Sequence, residues 1–194
     1  MEQTRAAFRH SPTLGNSRAF RGALLTIPVG SESTHGRLAV VEARFRPGSE
    51  PPPHIHEWED ELFYVLEGCA EFFCGKDRFI ADAGDCVFIP QGVPHTMTFL
   101  TPCVRALAVI SAVEARPVNL DQFFLLTSAP ARSLDLPAPG TPTGRAAPAD
   151  PARAARLAAE HGMRVLSPGE ARKLMPGYPG SASTSAERGH ANAA

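Results

Sequence analysis

Residues 48–68, GSEPPPHIHEWEDELFYVLEG, and residues 84–95, GDCVFIPQGVPH, decide how this chain is read. The first stretch holds His54, His56 and Glu61, and the second ends on His95. Two histidines separated by one residue point to the same side of a strand, because side chains alternate faces with a period of two. His54 and His56 can therefore address one metal ion from one strand. Glu61, beyond the acidic connection Glu57-Trp58-Glu59-Asp60, adds an anionic oxygen, and His95 adds a third imidazole. Three neutral imidazoles and a carboxylate form a borderline-hard donor set. It suits one divalent transition metal per chain (Fe, Ni, Co, Mn, Cu or Zn) and leaves positions for exogenous ligands.

The spacing of these residues resembles the two motifs of the cupin superfamily. Gly48, five residues, His54, one, His56, four, Glu61, six, Gly68 matches the first motif throughout. Gly84, five residues, Pro90, one, Gly92, two, His95 matches the second, whose usual terminal Asn falls on Phe99. The fifteen residues between them, 69–83, suffice for one hairpin of two short strands. The resemblance implies an all-β fold, the cupin double-stranded β-helix or jelly-roll barrel, with the metal inside its mouth. It also implies His54, His56, Glu61 and His95 as the ligands. Asp60 is the rival carboxylate; neighbouring strand residues face oppositely, so only one can serve, and the spacing favours Glu61.

PPPHIHEWEDELFYVLEGCAEFF followed by GDCVFIPQGVPHTMTF is similar to single-domain bacterial quercetin 2,3-dioxygenase-like cupins, as is HGMRVLSP at 161–168. That resemblance spans residues 20–168 and is strongest over 48–100. It implies a dioxygenase in which a flat phenolic or enolic, flavonol-like small molecule and dioxygen meet at the metal. Glu61 would double there as the general base that takes the substrate's hydroxyl proton. Trp58 stands where that group usually has a polar or basic residue, and Phe99 replaces Asn. Both changes leave the ligands intact and bear on the substrate. Trp58, Phe63, Phe72, Phe88, Met97 and Phe99 are core residues by default; as an aromatic-rich set they are also the expected wall of a substrate pocket.

Fold does not fix activity, so two other classes stand beside the dioxygenase. One is an oxygen-independent isomerase, cyclase or dehydratase of natural-product, polyketide-like biosynthesis, with the metal as Lewis acid. The other is a non-catalytic ligand-binding cupin. Apolar positions expected on the outer sheet (Leu38, Val40, Tyr64, Leu66) make a homodimer the expected assembly.

The length of 194 residues suits one domain with appendages. A net charge of −1, with no run of Lys or Arg, gives no footprint for nucleic acid. Residues 1–20 are too short and too irregular for a DNA-binding helix-turn-helix. The beginning, MEQTRAAFRH, is polar and no stretch approaches about 18 apolar residues, so neither signal peptide nor membrane span is expected. Cys69, Cys74, Cys86 and Cys103 lack CxxC spacing and read as reduced, buried residues of a cytoplasmic protein. His10, His35, His161 and His190 read as solvated, and Glu57 and Glu59 as a solvated acidic rim.

Alternation and turn residues place strands at 21–28, 37–45, 62–66, 70–74, 78–81, 86–89, 96–100 and 104–111. Pro51-Pro52-Pro53 has no N–H to donate and must sit at a strand edge or strand start, where it stiffens the approach to His54. LDQFFLLT, 120–127, reads as a short docking helix, Asp150-Pro151 opens an Ala-rich helix to Glu160, and 170–174 adds a helical turn. The expected organisation is a lead-in at 1–20, a barrel at 21–127, a wrapping arm with short helices at 128–175, and a disordered tail at 176–194.

Overall fold

A computed structural model of the chain describes residues 6–113, 116–138 and 151–180, with backbone only for 151–154. The linker part of the expected arm (139–150), the expected cap Asp150, His190 and the tail from residue 181 lie outside the described residues. In chain order the elements are β1 (Ser17–Phe20), β2 (Ala23–Val29), β3 (Leu38–Phe45), β4 (His54–His56), β5 (Glu59–Glu67) and β6 (Cys69–Cys74). There follow β7 (Asp77–Asp82), β8 (Cys86–Ile89), β9 (His95–Phe99), β10 (Val104–Ala112), α1 (Leu120–Thr127) and β11 (Ala129–Pro130). The last are α2 (Pro151–Glu160), β12 (Met163–Val165) and α3 (Pro168–Leu174). Among the described residues two antiparallel sheets face each other, one ordered β11-β1-β2-β3-β10-β5-β8 and the other β12-β4-β9-β6-β7. This is the all-β jelly roll with short C-terminal helices.

Strict alternation writes the inner face. Ala39, Val41 and Ala43 of β3, Phe63 and Val65 of β5, and Val104, Ala106, Ala108 and Ile110 of β10 are buried, while the residues between them are partly or fully exposed. Removing each large apolar side chain from water contributes about 1.5–3 kcal/mol. On the outer face the register aligns Val40, Val109, Leu62 and Phe88 in one apolar row across four strands. Tyr64, also outward, is exposed, whereas Leu38, Val40 and Leu66 are half-buried.

Three local readings are corrected. The strand expected at 21–28 is the second arm of a hairpin, and the sheet begins inside the expected lead-in. Arg21 and Gly22 both take positive φ (50° and 86°), so the chain reverses there and Ser17–Phe20 pairs with Ala23–Thr26. The expected arm of short helices also contains a strand, Met163–Val165, which adds to the free edge of β4 through Met163–His56 and Val165–His54 pairs. Cys86 is exposed rather than buried, because β8 turns Val87 and Ile89 inward; all four cysteines are free. No helix among the described residues is long and apolar enough to cross a membrane.

Gly68 closes the tight turn between β5 and β6 at φ 79°, and a Cβ there would collide with the Cys103 carbonyl oxygen. Left-handed backbone costs a non-glycine residue about 1–2 kcal/mol before any clash. Gly68→Ala is therefore expected to lower stability by at least about 2 kcal/mol, read as a fall of several degrees in Tm. An unchanged melt would contradict the turn.

Candidate metal centre

The centre is assembled from both sheets. β4 is three residues long, and its alternation sends His54 and His56 into the barrel and Ile55 to the other side. There Ile55 packs with Phe73, Leu166, Ala171 and Met175 in a second apolar cluster. His95 begins β9 and pairs directly with His54. Glu61 comes from β5 in the opposite sheet, paired with Ile110 and Ile89. All four residues are buried, and one donor atom from each lies within 4.8 Å of the others.

Each imidazole is oriented through its Nδ1. His54 Nδ1 donates to the Pro52 carbonyl at 2.8 Å, His95 Nδ1 to the Val93 carbonyl at 2.9 Å, and His56 Nδ1 faces Glu59 Oε2 at 3.3 Å. Carbonyl and carboxylate oxygens only accept, so the proton of each neutral ring sits on Nδ1 and the Nε2 lone pairs point inward. His54 Nε2 and His56 Nε2 then meet at 3.1 Å. His95 Nε2 is buried without a hydrogen-bond partner and lies 3.4 Å from Glu61 Oε2. Converging lone pairs beside a carboxylate repel one another unless a cation stands among them. The donor set fits a divalent metal on this ground.

Pro51-Pro52-Pro53 serves the same end. It lacks N–H groups, yet each of its carbonyls is used: Pro51 accepts from Thr96 Oγ1, Pro52 from His54 Nδ1 and Pro53 from the Leu166 N–H. The stiff triplet starts β4 and holds its first histidine.

Burial, reinforced by the neighbouring His95 and His56, holds the His54 pKa well below 6.5 and keeps that ring neutral. Burial also opposes charge on His56, but the Glu61 and Glu59 carboxylates outweigh it and raise its pKa. For Glu61 burial is likewise outweighed, by His56 and then His95, and its carboxyl lies below the ordinary value. Burial pushes the Cys74 thiol, cross-strand from His95, up to about 11, and its sulfur is not among the four converging donor atoms.

His54, His56 and Glu61 of the centre line an apolar cavity of about 450 Å³, a size usual for small-molecule sites. The space exists because inner-face positions at this end are small: Ala23, Ala43 and Ala108 line it. Of the expected pocket residues, Phe63 and Met97 line the cavity. The other four do not. Phe72 is buried behind the wall against Phe63, and Phe99 stacks on Phe45 with ring centroids 4.7 Å apart, so Phe45 takes the wall position. Phe88 is 56% exposed, because the alternation of β8 turns it outward. Trp58 lies against Gly162, where a Cβ would sit 2.6 Å from its ring, and under the Arg116 guanidinium. The rest of the wall comes from places that strand pattern does not reach, including Leu120, Phe123 and Phe124 on α1 and Met163 on β12. The Phe-Phe pair in an otherwise short amphipathic helix was the available signal.

Asp60 points away from the cluster and accepts from the Gln91 N–H. Glu57 is exposed, as expected of a rim. Glu59 is not: it is 1% exposed and hydrogen-bonded on both oxygens. Glu59 and Glu61 are two apart on one strand and share a face, and this alternation could have found it. His161 is also buried rather than solvated, its Nδ1 donating to the Leu157 carbonyl.

Residues 41–109, which contain all four cluster residues, match the family described as Cupin domain. An uncharacterized protein of Methanocaldococcus jannaschii is 30% identical over 59 residues, 30% of this chain. The match spans about half (47%) of that relative's length. Among solved structures, KdgF from Halomonas sp. is 23% identical with a TM-score of 0.44, covering 49% of this chain and 84% of that one. A Thermotoga maritima protein described as a predicted oxalate decarboxylase is 26% identical with a TM-score of 0.45, covering 47% and 81%. Pac13, a nucleoside dehydratase of Streptomyces, is 16% identical with a TM-score of 0.44, covering 54% and 83%.

The opposed shifts fix a pH dependence for chelator-treated protein. His56, whose folded pKa is raised, contributes stability that is full below 6.5 and is lost as pH rises through the raised value. Glu61, whose folded pKa is lowered, contributes stability above 4.5 that is lost as pH falls through the lowered value. The Tm difference between wild type and His56→Gln is thus expected to be largest between pH 4.5 and 6.5 and to shrink above it. A difference independent of pH would contradict the assignment.

Proposed function

We propose that the protein is a metal-dependent cupin dioxygenase acting on a flat phenolic or enolic, flavonol-like small molecule. One observation carries the reading: the donor atoms of His54, His56, Glu61 and His95 converge, and three of these residues, His54, His56 and Glu61, line a cavity whose other walls are mostly apolar. His54, His56, Glu61 and His95 would hold one divalent transition metal. Such a metal supplies a Lewis acid for an enolate oxygen and, where redox-active, a meeting point with dioxygen. Glu61 is ionised at neutral pH and lies in the cluster, so it can take the substrate's hydroxyl proton on a carboxylate oxygen. Phe63, Met97, Leu120 and Phe123 offer apolar walls to a flat ring and exclude water around it. Both atoms of dioxygen enter the product in such a reaction, so no external reductant is required. The free thiols fit the reducing, cytoplasmic setting proposed with it.

Elemental analysis is expected to find about one transition metal per chain, largely lost in His54→Ala and His95→Ala. Flavonols added to the metal-loaded protein are expected to consume oxygen, and Glu61→Gln to abolish the uptake. Metal without oxygen uptake across a flavonol panel would overturn the dioxygenase in favour of a metal-assisted isomerase, cyclase or dehydratase. No metal even after reconstitution would leave a binding barrel. The outer row Val40, Val109, Leu62, Phe88 supports the proposed homodimer; light scattering should then give twice the chain mass, and a peak at the chain mass removes it.

A further inference from the structure

Glu59 stands between the candidate metal centre and the helix that walls its cavity. Its Oε2 faces His56 Nδ1 at 3.3 Å. Its Oε1 accepts from the backbone N–H of Asn119 and, at 3.1 Å, of Leu120. These are the N-cap and first residue of α1, and Asn119 makes no capping hydrogen bond with its own side chain. Glu59, from a strand sixty residues earlier in sequence, thus supplies the cap that α1 does not supply itself. Its two oxygens have separate tasks.

We infer that Glu59 is a positioning residue that fixes His56 as an Nε2 donor and ties that choice to the seating of α1. The inference rests on the metal reading above. In a neutral imidazole the proton sits on the nitrogen that faces an acceptor, leaving the other nitrogen as the donor to a metal. Only with its proton on Nδ1 can His56 offer Nε2 to the cluster. The same carboxylate fixes the start of α1, and so the place of Leu120, Phe123 and Phe124 on the cavity wall. Ligand geometry and pocket shape are therefore set by one residue, buried at 1% exposure.

Glu59→Gln separates positioning from mere support. The amide has the same shape but only one acceptor oxygen. If that oxygen keeps the two N–H groups of α1, the NH₂ group faces His56 Nδ1 and drives the proton to Nε2. If it keeps His56, the NH₂ group opposes the N–H groups of α1. Nitrogen-15 NMR of the metal-free protein at alkaline pH reads the tautomer directly. The expected result is Nδ1–H at His56 in wild type and Nε2–H, or a mixture, in Glu59→Gln. Cobalt(II) affinity is expected to fall about 10–100-fold in Glu59→Gln, as for other partners of ligating histidines. Against a His56→Ala background the same substitution should change cobalt affinity little.

An unchanged tautomer and unchanged affinity, with only a lower Tm, would overturn the inference and leave Glu59 a helix cap. A wild-type His56 carrying its proton on Nε2 would overturn it without any variant, which covers the case in which Glu59→Gln does not fold. Failure of the wild type to bind cobalt, or any other divalent ion, would instead sink the metal reading. The tautomer measurement would still decide what Glu59 does to His56.

Discussion

Three imidazoles and a carboxylate cannot be packed together inside a protein unless each ring's second nitrogen has somewhere to place its proton. That constraint shapes the whole end of the barrel. His54 uses a proline carbonyl, His95 uses the carbonyl of Val93 in the bend that delivers it, and His56 uses Glu59. In each ring that is neutral the proton is committed outward and the inward nitrogen is a lone pair, and His95 Nε2 has no hydrogen bond among the described residues. Charge follows from the same arrangement. His54 is held neutral by burial and its neighbours, while His56 and Glu61 are pushed toward opposite charges. The donor set fits a cation, which would stand where Glu61 and Glu59 otherwise favour a proton on His56.

The strand β4 carries this load with three residues. One face presents His54 and His56 to the cavity, and the other presents Ile55 to a separate apolar cluster under α3. Its edges are covered by β9 on one side and β12 on the other. An edge left open would expose unpaired backbone beside the buried histidines. The C-terminal segment thus does more than wrap: β12 completes the sheet behind the histidines, and Met163 contributes to the cavity. Gly162, at φ 73°, lets the turn before β12 close against Trp58, and the Gly162 carbonyl accepts from the Glu57 N–H. The ring expected on the pocket wall is instead the surface against which that turn docks.

Local pattern carried much of the fold. Strands β3, β6, β8, β9 and β10 fall where alternation and Gly/Pro punctuation put them, β5 starts at Glu59, before the expected 62–66, and α1 spans the residues expected of it. The readings that failed have local causes of another kind. Arg21 adopts positive φ although it is not glycine, so the β1–β2 hairpin left no ordinary turn signature. β12 is too short to show a period, and exists because β4 offers it an edge. Glu59 stands among acidic neighbours that have the composition of a solvated rim, but its parity with Glu61 on β5 places it inward. Phe88 was grouped with the pocket by chemistry although Val87 and Ile89 bracket it and take the inner face.

The spacing of His54, His56, Glu61 and His95 was enough to bring these four side chains together, because a period of two on strands and a fixed hairpin length turn sequence distance into spatial side. Which groups orient those donors could not be read so. Pro52 and Val93 act through backbone carbonyls that every residue possesses, and Glu59 acts on a helix sixty residues away, so nothing in the sequence marks them as partners. The cavity wall has the same character. Its breadth comes from alanines that leave space, and its closure from a helix and an edge strand brought in across long stretches of chain. Periodicity tells each residue which side of its own strand it faces; only the packing of one element on another decides what waits on that side.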